Sequence, residues 1–173
     1  AVDAGDNRVL VVGGYELGAI MIKVEKKADG SYGTTELFTT EEFGDQTKPP
    51  ILHKGYFYAQ YGTNRRRDGL VCMSMDGQIM WKTKRSPDFN KGSMILVDGL
   101  ILASARRRTL YLVEPGPSEC KPLASAELLG DAGTSSGGIA GMSTRGHIRW
   151  HILLAVGVAY ALVVGLMTLP ASL

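Results

Sequence analysis

The chain has 173 residues with 19 Lys and Arg against 17 Asp and Glu, a net charge of +2 that points to neither nucleic acid nor an anionic membrane surface. Its 22 glycines and only 21% charged residues suit a turn-rich β protein better than a helical one. Cys72 and Cys120 form no CxxC pair and no ligand set with the three histidines, so neither a disulfide scaffold nor a zinc site is supported.

The opening residues, AVDAGDNR, hold no basic stretch followed by an apolar one, so no secretory leader is read there. Residues 7–12 (NRVLVV) are expected as a strand, the Gly13-Gly14-Tyr15-Glu16-Leu17-Gly18 loop leads to a second at 19–25, and a third follows at 34–39. Gly13, Gly14 and Gly18 would mimic a dinucleotide fingerprint only if a helix followed, and a strand is expected instead. Residues 41–48 read as a charged connector in which Glu41 and Glu42 point apart, and Pro49-Pro50 opens the next unit.

The second unit is the clearest. Residues 50–53 end at a Lys54-Gly55 turn, 56–61 (YFYAQY) alternate as a strand, and a loop carries Arg65, Arg66 and Arg67. A hairpin, 69–84 (GLVCMSMDGQIMWKTK), completes it, with Asp76-Gly77 expected as a type I′ turn and Trp81 aimed at a packing surface. Cys72 lies in an apolar strand, where a buried free thiol is the simple reading. After a polar connector at 84–91 the order returns: 93–97, a turn at Asp98-Gly99, 100–104, a loop with Arg106, Arg107 and Arg108, then 110–113 and 123–128.

Gly55 and Gly99, Arg65 and Arg106, and Leu70 and Leu110 mark a period of roughly 40 to 44 residues, the length of one four-stranded propeller blade. The first segment reads as the same unit without its leading strand. The fold expected is therefore all-β: a partial β-propeller of about three four-stranded antiparallel blades over residues 1–129.

The run from Gly69 to Met75, with Asp76, Gly77 and Trp81, resembles the repeat of the pyrroloquinoline-quinone-like (quinoprotein-type) β-propellers, as do Pro50…Lys54-Gly55-Tyr56 and Val97-Asp98-Gly99-Leu100. The likeness covers about residues 5–129 and weakens in the third unit, which lacks the Gly and Trp of the repeat. It implies a ring of about six to eight blades, of which these residues hold about three, so the remaining blades would come from the same parent or another chain. It also implies an extracytoplasmic setting, periplasmic or cell envelope, and gives Trp81, Gly77, Gly55 and Gly99 structural roles in turning and docking blades.

Residues 130–148 read as a Gly/Ser-rich linker and 149–173 as an apolar tail. Within it, 152–169 (ILLAVGVAYALVVGLMTL) has no charge and reaches the lower limit for a membrane span. Arg145 and Arg149 ahead of it would place the preceding part in the cytoplasm, against the setting that the resemblance implies. Residues 150–165 as strands of a fourth blade, and a tail foreign to the fold, are the other readings.

No catalytic, cofactor-binding or metal residue is assigned. The resemblance implies pyrroloquinoline quinone and calcium only where the parent is a true quinoprotein. The two arginine triplets, 65–67 and 106–108, form a candidate rim for carboxylates, phosphates or an acidic protein partner, set against the plain alternative of charged, solvated loops. His53, His147 and His151 do not cluster in the expected layout. The function expected is a non-catalytic scaffold or interaction module from a larger propeller. The alternatives are a fragment of a quinone-dependent alcohol or sugar dehydrogenase with its catalytic residues elsewhere, and a glycan-binding accessory domain.

Overall fold

The structure, a computed structural model, describes residues 1–45, 48–62, 67–89, 92–105 and 109–127, all within the unit Ala1–Met142. Among them no helix occurs. The first sheet is β1 (Val2–Gly5), β2 (Arg8–Gly13), β3 (Gly18–Lys26) and β4 (Tyr32–Thr40). The second is β5 (Ile51–His53), β6 (Tyr56–Gly62), β7 (Arg67–Ser74) and β8 (Ile79–Lys82). The third is β9 (Met94–Val97), β10 (Leu100–Ala105), β11 (Thr109–Glu114) and β12 (Lys121–Glu127). Each is an antiparallel meander whose strands pair in sequence order. The apolar tail 152–169 and the linker expected at 130–148 lie outside the described residues, and among the described residues no helix is long and apolar enough to cross a membrane.

The first unit does have its leading strand, contrary to the sequence reading. β1 pairs with β2 through a two-residue turn in which Asp6 and Asn7 both take positive φ, 52° and 61°. Short polar side chains that bond their own backbone tolerate that conformation, so Asp-Asn does here what Lys54-Gly55 and Asp98-Gly99 do in the later sheets. The type I′ assignment for Asp76-Gly77 is also corrected, since only Gly77 has positive φ, at 89°. Gly77 N–H donates to Ser74 O and Ser74 N–H to Gln78 O, a wider turn closed by one left-handed glycine.

Alternation along the strands explains the packing. In the second sheet, Phe57, Ala59, Tyr61, Val71 and Met73 turn to the first sheet and are buried with Leu10 and Met21. The intervening residues, Tyr58, Leu70 and Cys72, turn to the third sheet and are buried with Ile101, Ala103 and Val113. A strand with both faces covered can carry apolar residues on both sides, which is why Tyr56 to Ala59 and Leu70 to Met73 are apolar at successive positions. Each large side chain wholly buried in this way contributes about 1.5–3 kcal/mol.

The connectors, expected to be merely polar, each contribute one aromatic to a joint. Phe43, between β4 and β5, is fully buried and meets Phe57 edge-on at 6.4 Å between ring centroids. Phe89, between β8 and β9, is likewise buried and meets Tyr111 at 5.2 Å. Each link between sheets thus also wedges the joint that it spans.

Candidate functional site

Equivalent residues define a direction of stacking. Leu10, Tyr58 and Leu102 each stand at the third residue of a second strand, and their pairing partners are Met21, Cys72 and Leu112. Leu10 and Met21 face forward, onto the second sheet. Tyr58 and Cys72 also face forward, onto the third. By the same alternation Leu102 and Leu112 face away from the second sheet, while Val9 and Val11 face away from it at the other end. Each sheet therefore lays its forward face on the backward face of the next, twice in the same sense. β1 and β5 come within 8 Å between Cα atoms, closer than the ~10 Å of sheets packed face to face, so the first two sheets converge at their first strands.

A clasp on the fourth strand repeats as well. Phe38, paired with Met21, lies on the β7–β8 turn, where a Cβ added to Gly77 would sit 2.8 Å from its ring. Trp81, paired with Cys72, donates its indole N–H to Gly116 O in the β11–β12 turn at 2.8 Å and leans on Tyr58 at 6.1 Å. The position after these in the series is Ala124, paired with Leu112, which has no ring to offer. Gly55 and Gly99 serve their turns alone, for a Cβ at either would meet nothing within 4 Å.

Meander turns alternate between two ends, so the β2–β3, β6–β7 and β10–β11 loops share one end with the connectors. Tyr15 and Leu17 are 80% and 79% exposed in the β2–β3 loop. The strand ends that flank the arginines, Gly62 and Arg67, then Ala105 and Thr109, lie at this end too, while 65, 66 and 106–108 fall outside the described residues. Polar ties hold this end together. Lys48 Nζ donates to Gly92 O at 3.0 Å and to Ser93 Oγ, its backbone N–H donates to Asp45 Oδ1, and Gln60 Nε2 donates to Ser104 O across the second joint. Lys82 pairs with Asp68 at 3.3 Å, both side chains about 15% exposed, and reaches Glu42 at 3.8 Å.

Among the described residues no three His, Cys, Asp or Glu are grouped to hold a metal. The Trp81 ring leans on Tyr58 and spends its N–H on Gly116 O, which gives it a place in the joint between the second and third sheets. Gly13, Gly14 and Gly18 link two strands, and no dinucleotide cradle forms. Cys72 and Cys120 are free thiols, each pushed up to about 11, by burial first, with Glu119 adding to the effect at Cys120. Burial also raises the Tyr58 hydroxyl, which sits against the Cys72 sulfur. His53 closes β5 beside the Lys54-Gly55 turn.

The concave surface lies elsewhere. Two shallow depressions, about 370 and 410 Å³, occupy the backward face of the first sheet, one between Val9, Val24 and Tyr32, the other between Val11, Leu17 and Ile20. The sequence reading anticipates such a face, for the alternation of Val9 and Val11 with Leu10 and Val12 signals a strand with two apolar sides, and an open stack of blades leaves its terminal sheet faces exposed. No family model matches the chain, and a search of curated proteins finds no significant match.

Proposed function

We propose that this chain is a non-catalytic scaffold, a run of three blades of a quinoprotein-like β-propeller whose connector end binds an acidic partner. One observation carries the reading: three four-stranded meanders stack forward face on backward face in a constant sense, and among the described residues apolar faces are left at both ends. A head-to-tail contact that repeats in one sense has no internal stop: it closes into a ring where the rotation allows and otherwise runs on as an open stack. The convergence of β1 and β5 supports an arrangement of sheets around an axis. The aromatic clasps at Phe38 and Trp81 support blade-to-blade docking by the fourth strand.

The arginine triplets belong to loops whose flanking strand ends lie on one side of the stack, where guanidinium groups suit paired hydrogen bonding to carboxylates or phosphates. Replacing Arg65, Arg66, Arg67, Arg106, Arg107 and Arg108 by Ser is expected to lower the salt needed for elution from phosphocellulose. Unchanged retention removes the anion-binding part of the proposal. Adding pyrroloquinoline quinone with calcium is expected to leave the quinone absorbance unaltered, and a stoichiometric spectral change would overturn the non-catalytic reading.

A further inference from the structure

We propose that Lys48 straps the two joints together, so that an opening of one is passed to the other along the connectors and not only through the second sheet. The strap lies wholly among the described residues, and its action does not depend on what the connector end binds or on how the stack is completed. Joints that move as one hold the loops of the connector end at a fixed spacing.

The first connector is seated on the first joint. Phe43 is buried there against Phe57, and a Cβ on Gly44 would stand 2.9 Å from Gly13 O and 3.0 Å from the Tyr61 ring, so the chain runs flush over the first two sheets. Asp45, 7% exposed, then accepts the Lys48 backbone N–H at 3.0 Å and fixes the root of that side chain. From this root the ammonium leaves its own connector. It donates to Gly92 O at 3.0 Å and to Ser93 Oγ, both in the second connector.

The residues it grips are themselves fastened to the second joint. Ser104 N–H donates to Ser93 O at 2.7 Å and Ser93 N–H to Ser104 Oγ at 2.6 Å, while Gln60 of the second sheet donates to Ser104 O at 2.8 Å. A Cβ on Gly92 would stand 2.8 Å from Gln60 Oε1, so the second connector also lies flush. A continuous run of contacts thus leads from Gly13 in the first sheet to Ser104 in the third through one lysine, the kind of packed and hydrogen-bonded network that carries coupling between sites. Lys48 and Gly92, like Gln60 and Ser104, are 44 positions apart, the spacing of Tyr58 and Leu102. Where the second unit has Lys48 the third has Gly92, with no side chain to pass the strap on, and where it has Gln60 the first has Val12, which packs in the apolar core. Among the described residues the strap is therefore single.

Native-state amide exchange of the full 173-residue chain tests it, without denaturant, where local openings dominate. Phe43→Leu loosens the first joint, and the β10 and β11 amides report on the second. With Lys48 in place, Phe43→Leu is expected to speed exchange in β10 and β11 by roughly fivefold or more, the low end of ordinary coupling between sites. Lys48→Met keeps most of the stem and drops the ammonium. In that background the same change is expected to leave β10 and β11 within about twofold while β2 and β3 respond as before. If Lys48→Met lowers the far-UV sheet signal, Lys48→Gln replaces it. Exchange in β10 and β11 that ignores Phe43→Leu in the presence of Lys48 overturns the strap. A response that persists undiminished without the ammonium overturns it too, and assigns the coupling to the second sheet.

Discussion

The second sheet and its two neighbours are built from the same kind of strand and differ in what covers them. The second is dry on both sides, with Tyr58, Phe57, Leu70, Val71, Cys72 and Met73 all at 0–1% exposure. The first and third each have one dry side, and their outer sides remain aliphatic though partly open, as at Val11 and Ile95. Exposed sheet faces in a solitary domain usually alternate to polar residues. Valine, isoleucine and leucine there repeat the aliphatic character of the faces that the middle sheet buries.

The largest effect that sharpens this contrast is a pair of truncations. Met73→Ala, in the covered sheet, should cost about 2–5 kcal/mol in urea denaturation, whereas Val11→Ala on the outer side of the first sheet should stay within about 0.5 kcal/mol. Equal costs would erase the distinction between the sheets. Gly77→Ala comes next. It forces a side chain to φ 89° and into the Phe38 ring, for a loss of roughly 1–3 kcal/mol, and Phe38→Ala should relieve part of it in a double-mutant cycle.

Smaller again is Trp81→Phe, which keeps most of the packing and drops the hydrogen bond to Gly116 O. About 1 kcal/mol is expected, with the second joint loosening and the first unchanged by amide exchange. The last is a matter of pH. Cys72 is raised from 9.0 to about 11 in the fold, so the folded state holds its proton more tightly than the unfolded chain does. Its contribution is therefore full below about pH 9 and is lost as pH climbs through about 11. Alkylation of Cys72 by iodoacetamide in native protein should be negligible at pH 8 and become complete after unfolding.

The sequence disclosed the second sheet almost whole, because Lys54-Gly55 and Asp76-Gly77 punctuate it and Tyr56 to Tyr61 alternate in plain view. β1 stayed hidden because Asp6-Asn7 makes a tight turn without a glycine, and a four-residue strand has too few positions to show a period. Phe43 and Phe89 were hidden by their neighbours, since burial of one ring inside a polar connector depends on where the sheets leave a gap. The clasp was half visible. Trp81 stood out as a large aromatic, but its partner Gly116 is 35 positions away and acts through its carbonyl, which no side-chain pattern reports. The forward and backward sense of the stack needed coordinates, since it is a property of how one sheet meets the next.

That shared sense has a bearing on how such a chain is assembled in evolution. Tyr58 and Leu102 occupy the same station 44 positions apart, and every boundary offers the same pair of mating surfaces. Duplicating or excising one such stretch restores a compatible seam at the cut, so the number of units can drift while each neighbour relation is conserved.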